Sequence, residues 1–206
     1  MSNSTVSFCD LAVPGVQRLQ PYQPGKPIEE LEREYGISNV VKLASNENPL
    51  GASANAIAAA QAALAEIHLY PDGNAFALRQ ALAAFHDFDP AGITLGAGSN
   101  DVLDLVARAF LGPGREAVFA EHAFAVYPIS TLAAGGTPVV APANPRDHAQ
   151  PYGHDLAALR AAISERTRVV FIANPNNPTG TWLTAEELEA FIADVPRDVI
   201  VVLDEA

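Results

Sequence analysis

The chain has 206 residues, of which 49% are hydrophobic and 17% charged, a balance that suits a globular protein with one sizeable core or a little more. Its formal charge of −12 would repel the phosphates of a nucleic acid, so nucleic acid is excluded as a partner. No apolar run approaches the length of a membrane span, residues 1–16 lack a basic, then apolar, signal pattern, and the single cysteine, Cys9, cannot form an internal disulfide; the expected setting is the cytoplasm, with no membrane partner.

In chain order, residues 1–45 read as an irregular arm. Pro14, Pro21, Pro24 and Pro27, with Gly15 and Gly25, interrupt regular structure. Pro27 suits the first turn of a short helix in which Ile28, Leu31 and Tyr35 recur at helical spacing, and Gly36 ends it. Val40–Leu43 could form a short strand. From Ser53, a candidate cap, an Ala-rich helix extends to about Ile67. Tyr70-Pro71-Asp72-Gly73 is a turn, followed by a helix from about Ala75 to Phe85.

Beyond it, apolar strands alternate with helices. Strands are expected at Ile93–Leu95, Ala117–Ala120, Pro138–Ala141, Arg168–Ala173 and Val199–Leu203. Helices are expected after Ser99 (burying Val102, Leu103, Leu105, Val106 and Phe110), at Val126–Ala134, at Asp155–Ile163 and at Thr184–Ala193. Such alternation implies right-handed crossovers and a mostly parallel sheet covered on both faces, an α/β architecture. Ala206 directly follows an apolar strand, which would leave that strand uncovered, so the natural protein is expected to continue.

In an open parallel sheet, ligands bind beyond the carboxyl ends of the strands, and three segments are expected there. Gly96-Ala97-Gly98-Ser99-Asn100-Asp101 allows a tight turn into a helix whose free N–H groups suit an anion; the helix dipole adds roughly 0.3–1 kcal/mol. Ser99 could equally be an ordinary N-cap. Asn174-Pro175-Asn176-Asn177-Pro178-Thr179-Gly180 forces an extended, turn-rich backbone that could point the Asn177 amide across the strand ends. Val199 to Ala206 ends on Asp204, a carboxylate at the end of an apolar strand, which needs a partner. A protonated pyridine nitrogen is one such partner; a salt-bridged structural aspartate is the alternative. The apolar-Asp-Glu ending also suggests an ATPase, but that requires a phosphate-binding Gly-Lys loop, and Gly25-Lys26 is followed by proline.

These segments, in this order, resemble the fold-type-I pyridoxal-phosphate aminotransferases. Pro21-Tyr22-Gln23-Pro24-Gly25-Lys26-Pro27, Leu43 to Gly51 and Tyr70 to Gly73 narrow the resemblance to the histidinol-phosphate aminotransferases, over about Leu11 to Ala206. The resemblance implies a three-layer sandwich around a mostly parallel sheet, with its C-terminal part absent here. Residues 1–45 would be the N-terminal arm and start of a small domain, and 46–206 the first part of the large, cofactor-binding domain. It implies pyridoxal 5'-phosphate as cofactor and no metal, with transfer of an amino group between L-histidinol phosphate and 2-oxoglutarate in a homodimer. Ser99 and Asn100 would bind the cofactor phosphate, Phe124 would stack on its ring where many members have tyrosine, Asn177 would bond its phenolic oxygen, and Asp204 would pair with the ring nitrogen. Tyr70 would reach the phosphate in the neighbouring subunit, and Tyr22 and Asn46 would close over the substrate.

Two departures stand out. Gly51-Ala52-Ser53-Ala54 lacks prolines common after this loop. More seriously, the lysines are Lys26 and Lys42, and neither stands where the family's Schiff-base lysine does, after the Asp204 strand. No catalytic residue is therefore expected within the chain, which alone would be inactive. An aromatic aminotransferase or a threonine-phosphate decarboxylase would share most of these segments. A Rossmann-type nucleotide enzyme would use Gly96-Ala97-Gly98 and Glu121, but leaves Asn174 to Gly180 and Asp204 without roles. A non-catalytic binding or dimerisation module is the remaining alternative.

Overall fold

The computed structural model describes residues 8–21, 25–43, 45 and 47–206. Four strands, β1 (Glu116–Ala120), β2 (Thr137–Ala141), β3 (Thr167–Ala173) and β4 (Ile200–Asp204), accompany eight α-helices among the described residues: α1 (Pro14–Gln17), α2 (Ile28–Tyr35), α3 (Ala54–Ala63), α4 (Phe76–His86), α5 (Ser99–Phe110), α6 (Val126–Ala133), α7 (Leu156–Ala162) and α8 (Ala185–Asp194). The chain divides into two compact units, one of residues 1–22 with 95–206 and the other of 23–94.

In the first unit the strands form one parallel sheet in the order β2-β1-β3-β4. Period-2 alternation sends Ala117, Phe119, Val169, Phe171 and Ala173 to one face, where they meet Leu103 and Ala107 of α5 and Tyr127 of α6. Val118, Val170 and Ile172 face the other way, onto Leu159 of α7 and Leu188 and Phe191 of α8. The result is three layers with a core on each side of the sheet, as expected from the unbroken apolar runs. Local signals agree with this packing. Asp155 accepts from the Ala158 N–H to start α7, and Thr184 and Glu187 form a reciprocal capping box on α8. The short α1 seats on α6, where a Cβ at Gly15 would lie 2.0 Å from the Leu132 carbonyl oxygen, so only glycine allows the approach.

At the start of β1, Glu116 is buried and accepts from Ser164 Oγ at 2.5 Å and Arg166 Nε at 2.8 Å. The Ser164 hydrogen bond is the strongest influence on it; with Arg166 it outweighs burial and holds the carboxyl below its usual range. A depressed folded value means that the stabilisation is complete above the unfolded value of about 4.3 and is lost as pH falls through the folded one. Glu116→Gln is therefore expected to cost about 1–3 kcal/mol at pH 7. Urea midpoints should show that difference shrinking steadily below about pH 4; a pH-independent difference would contradict the ion-pair account.

The second unit is lightly packed. Gly36 ends α2 in the left-handed region at φ 64°. Asp72 launches α4 by accepting from the N–H groups of Asn74 and Phe76 at 2.9 and 2.8 Å, and Arg79 ties the helix to the Pro90 carbonyl at 2.6 Å.

Several expectations need correction. Val40–Leu43 and Ile93–Leu95 are not strands; neither has a ladder partner among the described residues, and extended chain without one is not sheet. Ser53 stands at the start of α3 but makes no side-chain cap, and the α-helix ends at Ala63 before a 3-10 turn. On α5, Leu105 is exposed because it lies two residues, about 200° of helix, from the buried Leu103. Phe110 is also exposed, and Leu111 takes the buried place after it.

Candidate functional site at the carboxyl ends of the strands

In the order β2-β1-β3-β4, the chain leaving β1 crosses towards β2, whereas the chain leaving β3 crosses towards β4. The loops after β1 and β3 thus part at a topological switch point, the usual ligand crevice of an open α/β sheet. The loop after β1 carries Phe124, the loop after β3 carries Asn177, and β4 ends on Asp204, so three of the residues singled out from sequence converge on one sheet end.

Tyr127, which sequence reasoning passed over, joins two of these residues, Phe124 and Asp204. It lies one helical turn after Phe124 and is fully buried. Its ring stacks on Phe171 at 4.9 Å and meets Phe124 edge-on at 5.9 Å. Its hydroxyl donates to Asp204 Oδ2 at 2.8 Å. Burial, then the hydrogen bond to Asp204 and its charge, push the Tyr127 phenol far above its ordinary range, so it stays a donor. The other Asp204 oxygen, Oδ1, accepts from the Ala206 N–H at 3.1 Å. Nothing local in the sequence marks Tyr127, since its hydrogen-bond partner lies 77 residues away.

The β1 and β3 loops are also joined directly. Asn176 Nδ2 donates to the His122 carbonyl at 2.9 Å and to Thr179 Oγ1 at 2.7 Å. Asn174 exchanges two hydrogen bonds with the Leu183 backbone, at 2.8 and 3.1 Å. This side-chain scaffold leaves Asn177 itself exposed. His154, buried, donates from Nε2 to the Ala173 carbonyl at 2.8 Å; its tautomer follows because a carbonyl only accepts. Burial depresses its basicity despite that carbonyl.

The glycine segment sits differently from expectation. No strand precedes it, and Ser99 is the first helical residue rather than the cap; Gly98 caps α5 with φ 92°, a conformation that favours glycine. Asp101 Oδ2 accepts from the Ala97 N–H at 2.9 Å, and a Cβ on Gly96 would lie 2.7 Å from Asp101 Cβ. Ser99 and the exposed Asn100 therefore stand at the open amino end of a 12-residue helix. Tyr70 belongs to the second unit and is fully exposed. Tyr22 and Asn46 lie outside the described residues.

Of the lysines, Lys26 is bound by Glu34 with Glu30 at 3.8 Å, and Lys42 pairs with Glu47 at 2.6 Å. The Glu34 hydrogen bond, ahead of the charges of Glu34 and Glu30, holds the Lys26 ammonium above its ordinary range. Among the described residues, no helix is long and apolar enough to cross a membrane.

Residues 38–206 match the family "Aminotransferase class I and II". The chain is 61% identical over 203 residues to histidinol-phosphate aminotransferase 2 of Pseudomonas aeruginosa, covering 97% of this chain and 53% of that protein. It is 57% identical over 201 residues to histidinol-phosphate aminotransferase 2 of Methylococcus capsulatus, covering 98% and 54%. The chain thus spans about half the length of the curated relatives it matches. Among solved structures, histidinol-phosphate aminotransferase from Sinorhizobium meliloti in complex with pyridoxal-5'-phosphate superposes with a TM-score of 0.82 at 29% identity, over 100% of this chain and 52% of that one. A Thermus thermophilus aspartate aminotransferase mutant gives 0.78 at 27% identity, over 94% and 53%. The three-layer fold about a parallel sheet is that of these aminotransferases.

Proposed function

The chain belongs to the class I and II aminotransferases, and from that premise we propose that the full-length protein transfers an amino group between L-histidinol phosphate and 2-oxoglutarate in histidine biosynthesis. The observation that carries the reading is the convergence of Phe124, Asn177 and Asp204 at the switch point, with Asp204 Oδ2 held by a buried tyrosine. The names of the relatives at 57–61% identity supply the amino donor.

The donor set fits pyridoxal phosphate on chemical grounds. The opening N–H groups of α5 have no acceptor within their own helix and suit a phosphate, with Ser99 and Asn100 beside them. The Phe124 ring offers an apolar face to a planar heterocycle. The Asn177 amide would donate to the phenolic oxygen, and the Asp204 carboxylate would favour the protonated ring nitrogen. Bound there, the cofactor supplies the electron sink that amino-group transfer requires.

Lys26 and Lys42 are assigned no covalent role, because each already holds a carboxylate partner. The covalent lysine is placed outside residues 1–206, and the chain by itself is expected to be inactive. The protein works as a homodimer in the cytoplasm on this reading, and the fully exposed Tyr70 ring supports a contact with a partner subunit. A nucleotide-binding reading of Gly96 to Gly98 loses ground because no strand leads into that turn.

The test is an assay of the purified full-length protein with histidinol phosphate and 2-oxoglutarate. Glutamate formation at a kcat/KM well above that for aromatic amino acids is expected. Transamination of aromatic amino acids alone would overturn the substrate assignment and leave the family intact.

A further inference from the structure

Resting on the reading of Asp204 as the partner of the cofactor's ring nitrogen, we propose that Tyr127 is the positioning residue of the site, setting the orientation of the Asp204 carboxylate and of the Phe124 ring together. Two independent contacts support it. The hydroxyl binds Asp204 Oδ2 at 2.8 Å, across 77 residues of sequence, and the ring edge meets Phe124 at 5.9 Å with the planes at 89°. A single side chain therefore touches both the charged and the stacking groups.

Tyr127 is itself over-determined. Its ring lies parallel to Phe171 of β3, at 4.9 Å and 6°, with Phe119 of β1 at 6.3 Å. One turn on, Thr131 Oγ1 donates to the Tyr127 carbonyl at 2.7 Å, and both residues are fully buried. Asp204 is the last residue of β4 and only half-buried. Without the tyrosine, the carboxylate keeps, among the described residues, just the Ala206 N–H, a neighbour two residues away in the same terminal segment. A carboxylate fixed on one oxygen by a rigid phenol needs no reorganisation when a cation arrives, the advantage expected of a pre-oriented supporting shell. Phe124, half-buried, gains from the edge contact a defined tilt for its exposed face.

Tyr127→Phe deletes only the hydroxyl and keeps both ring contacts. In the full-length protein, measured by equilibrium dialysis against pyridoxal phosphate, it should raise Kd about tenfold, the low end of what loss of an outer-shell partner costs at metal sites. Thr131→Val, which perturbs the same helix without touching Asp204, should lower the thermal midpoint but change Kd less than twofold. Asp204→Asn and the double variant complete a cycle. The proposal expects the double variant to bind no more weakly than Asp204→Asn alone, because the hydroxyl acts through that carboxylate. Additive losses, or equal losses in Tyr127→Phe and Thr131→Val, would overturn the positioning role while leaving Asp204 in place. An unchanged Kd in Asp204→Asn would instead remove the site reading, and the proposal with it.

Discussion

Asp204→Asn is expected to weaken pyridoxal phosphate binding by the full-length protein by about ten- to a thousandfold, the equivalent of 1–3 pKa units of lost pairing with a protonated ring nitrogen. The substitution keeps the shape of the side chain and a hydrogen-bonding oxygen for Tyr127, so the fold should survive. What disappears is the negative charge at the end of β4. The loss should appear in the dissociation constant and, more strongly, in turnover, because ring protonation matters most when negative charge develops on the cofactor. A variant with wild-type affinity and turnover would show that Asp204 is a structural aspartate, bonded to Tyr127 and nothing else.

The second large effect is on stability. Phe171 is fully buried on β3, between β1 and β4, and stacks on Tyr127. Phe171→Ala removes the ring from the centre of the core shared with α5 and α6. A loss of about 3–5 kcal/mol is expected, combining transfer and cavity costs. Leu105→Ala, at an exposed position on α5, should stay within about 0.5 kcal/mol. Urea denaturation of both variants provides the comparison. A cost below about 1 kcal/mol for Phe171→Ala would mean that the aromatic cluster is not the packing centre of this unit.

The two effects explain why much of the fold was legible in the sequence. β1 and β3 are largely apolar on both faces because helices cover both, and such runs stand out without knowledge of pairing. Asp155, Thr184 and Gly36 mark helix ends through local chemistry that needs no tertiary context. Ile93–Leu95 and Val40–Leu43 are rich in apolar and β-branched residues but have no ladder partner among the described residues, and composition cannot report one. Leu105 was assigned to the core because it is apolar; the helical angle between it and Leu103 was the better guide.

The site divides in the same way. Phe124, Asn177 and Asp204 sit in distinctive segments at strand ends, so chemistry and topology together pointed to them. Tyr127 is invisible to such reasoning because its role depends on a hydrogen bond to a residue 77 positions away. The same holds for His154 and Asn176, whose partners, the carbonyls of Ala173 and His122, are 19 and 54 residues distant. Local sequence marks groups that meet a ligand; the groups that hold them in place emerge only from packing.

The most direct test of the central claim is a crystal structure of the full-length protein with pyridoxal phosphate. The account predicts the phosphate at the amino end of α5 beside Ser99 and Asn100, the ring against Phe124, and the ring nitrogen within hydrogen-bonding distance of Asp204, with neither Lys26 nor Lys42 joined to the cofactor. A cofactor bound away from the carboxyl ends of β1, β3 and β4, or linked to either of those lysines, would contradict it.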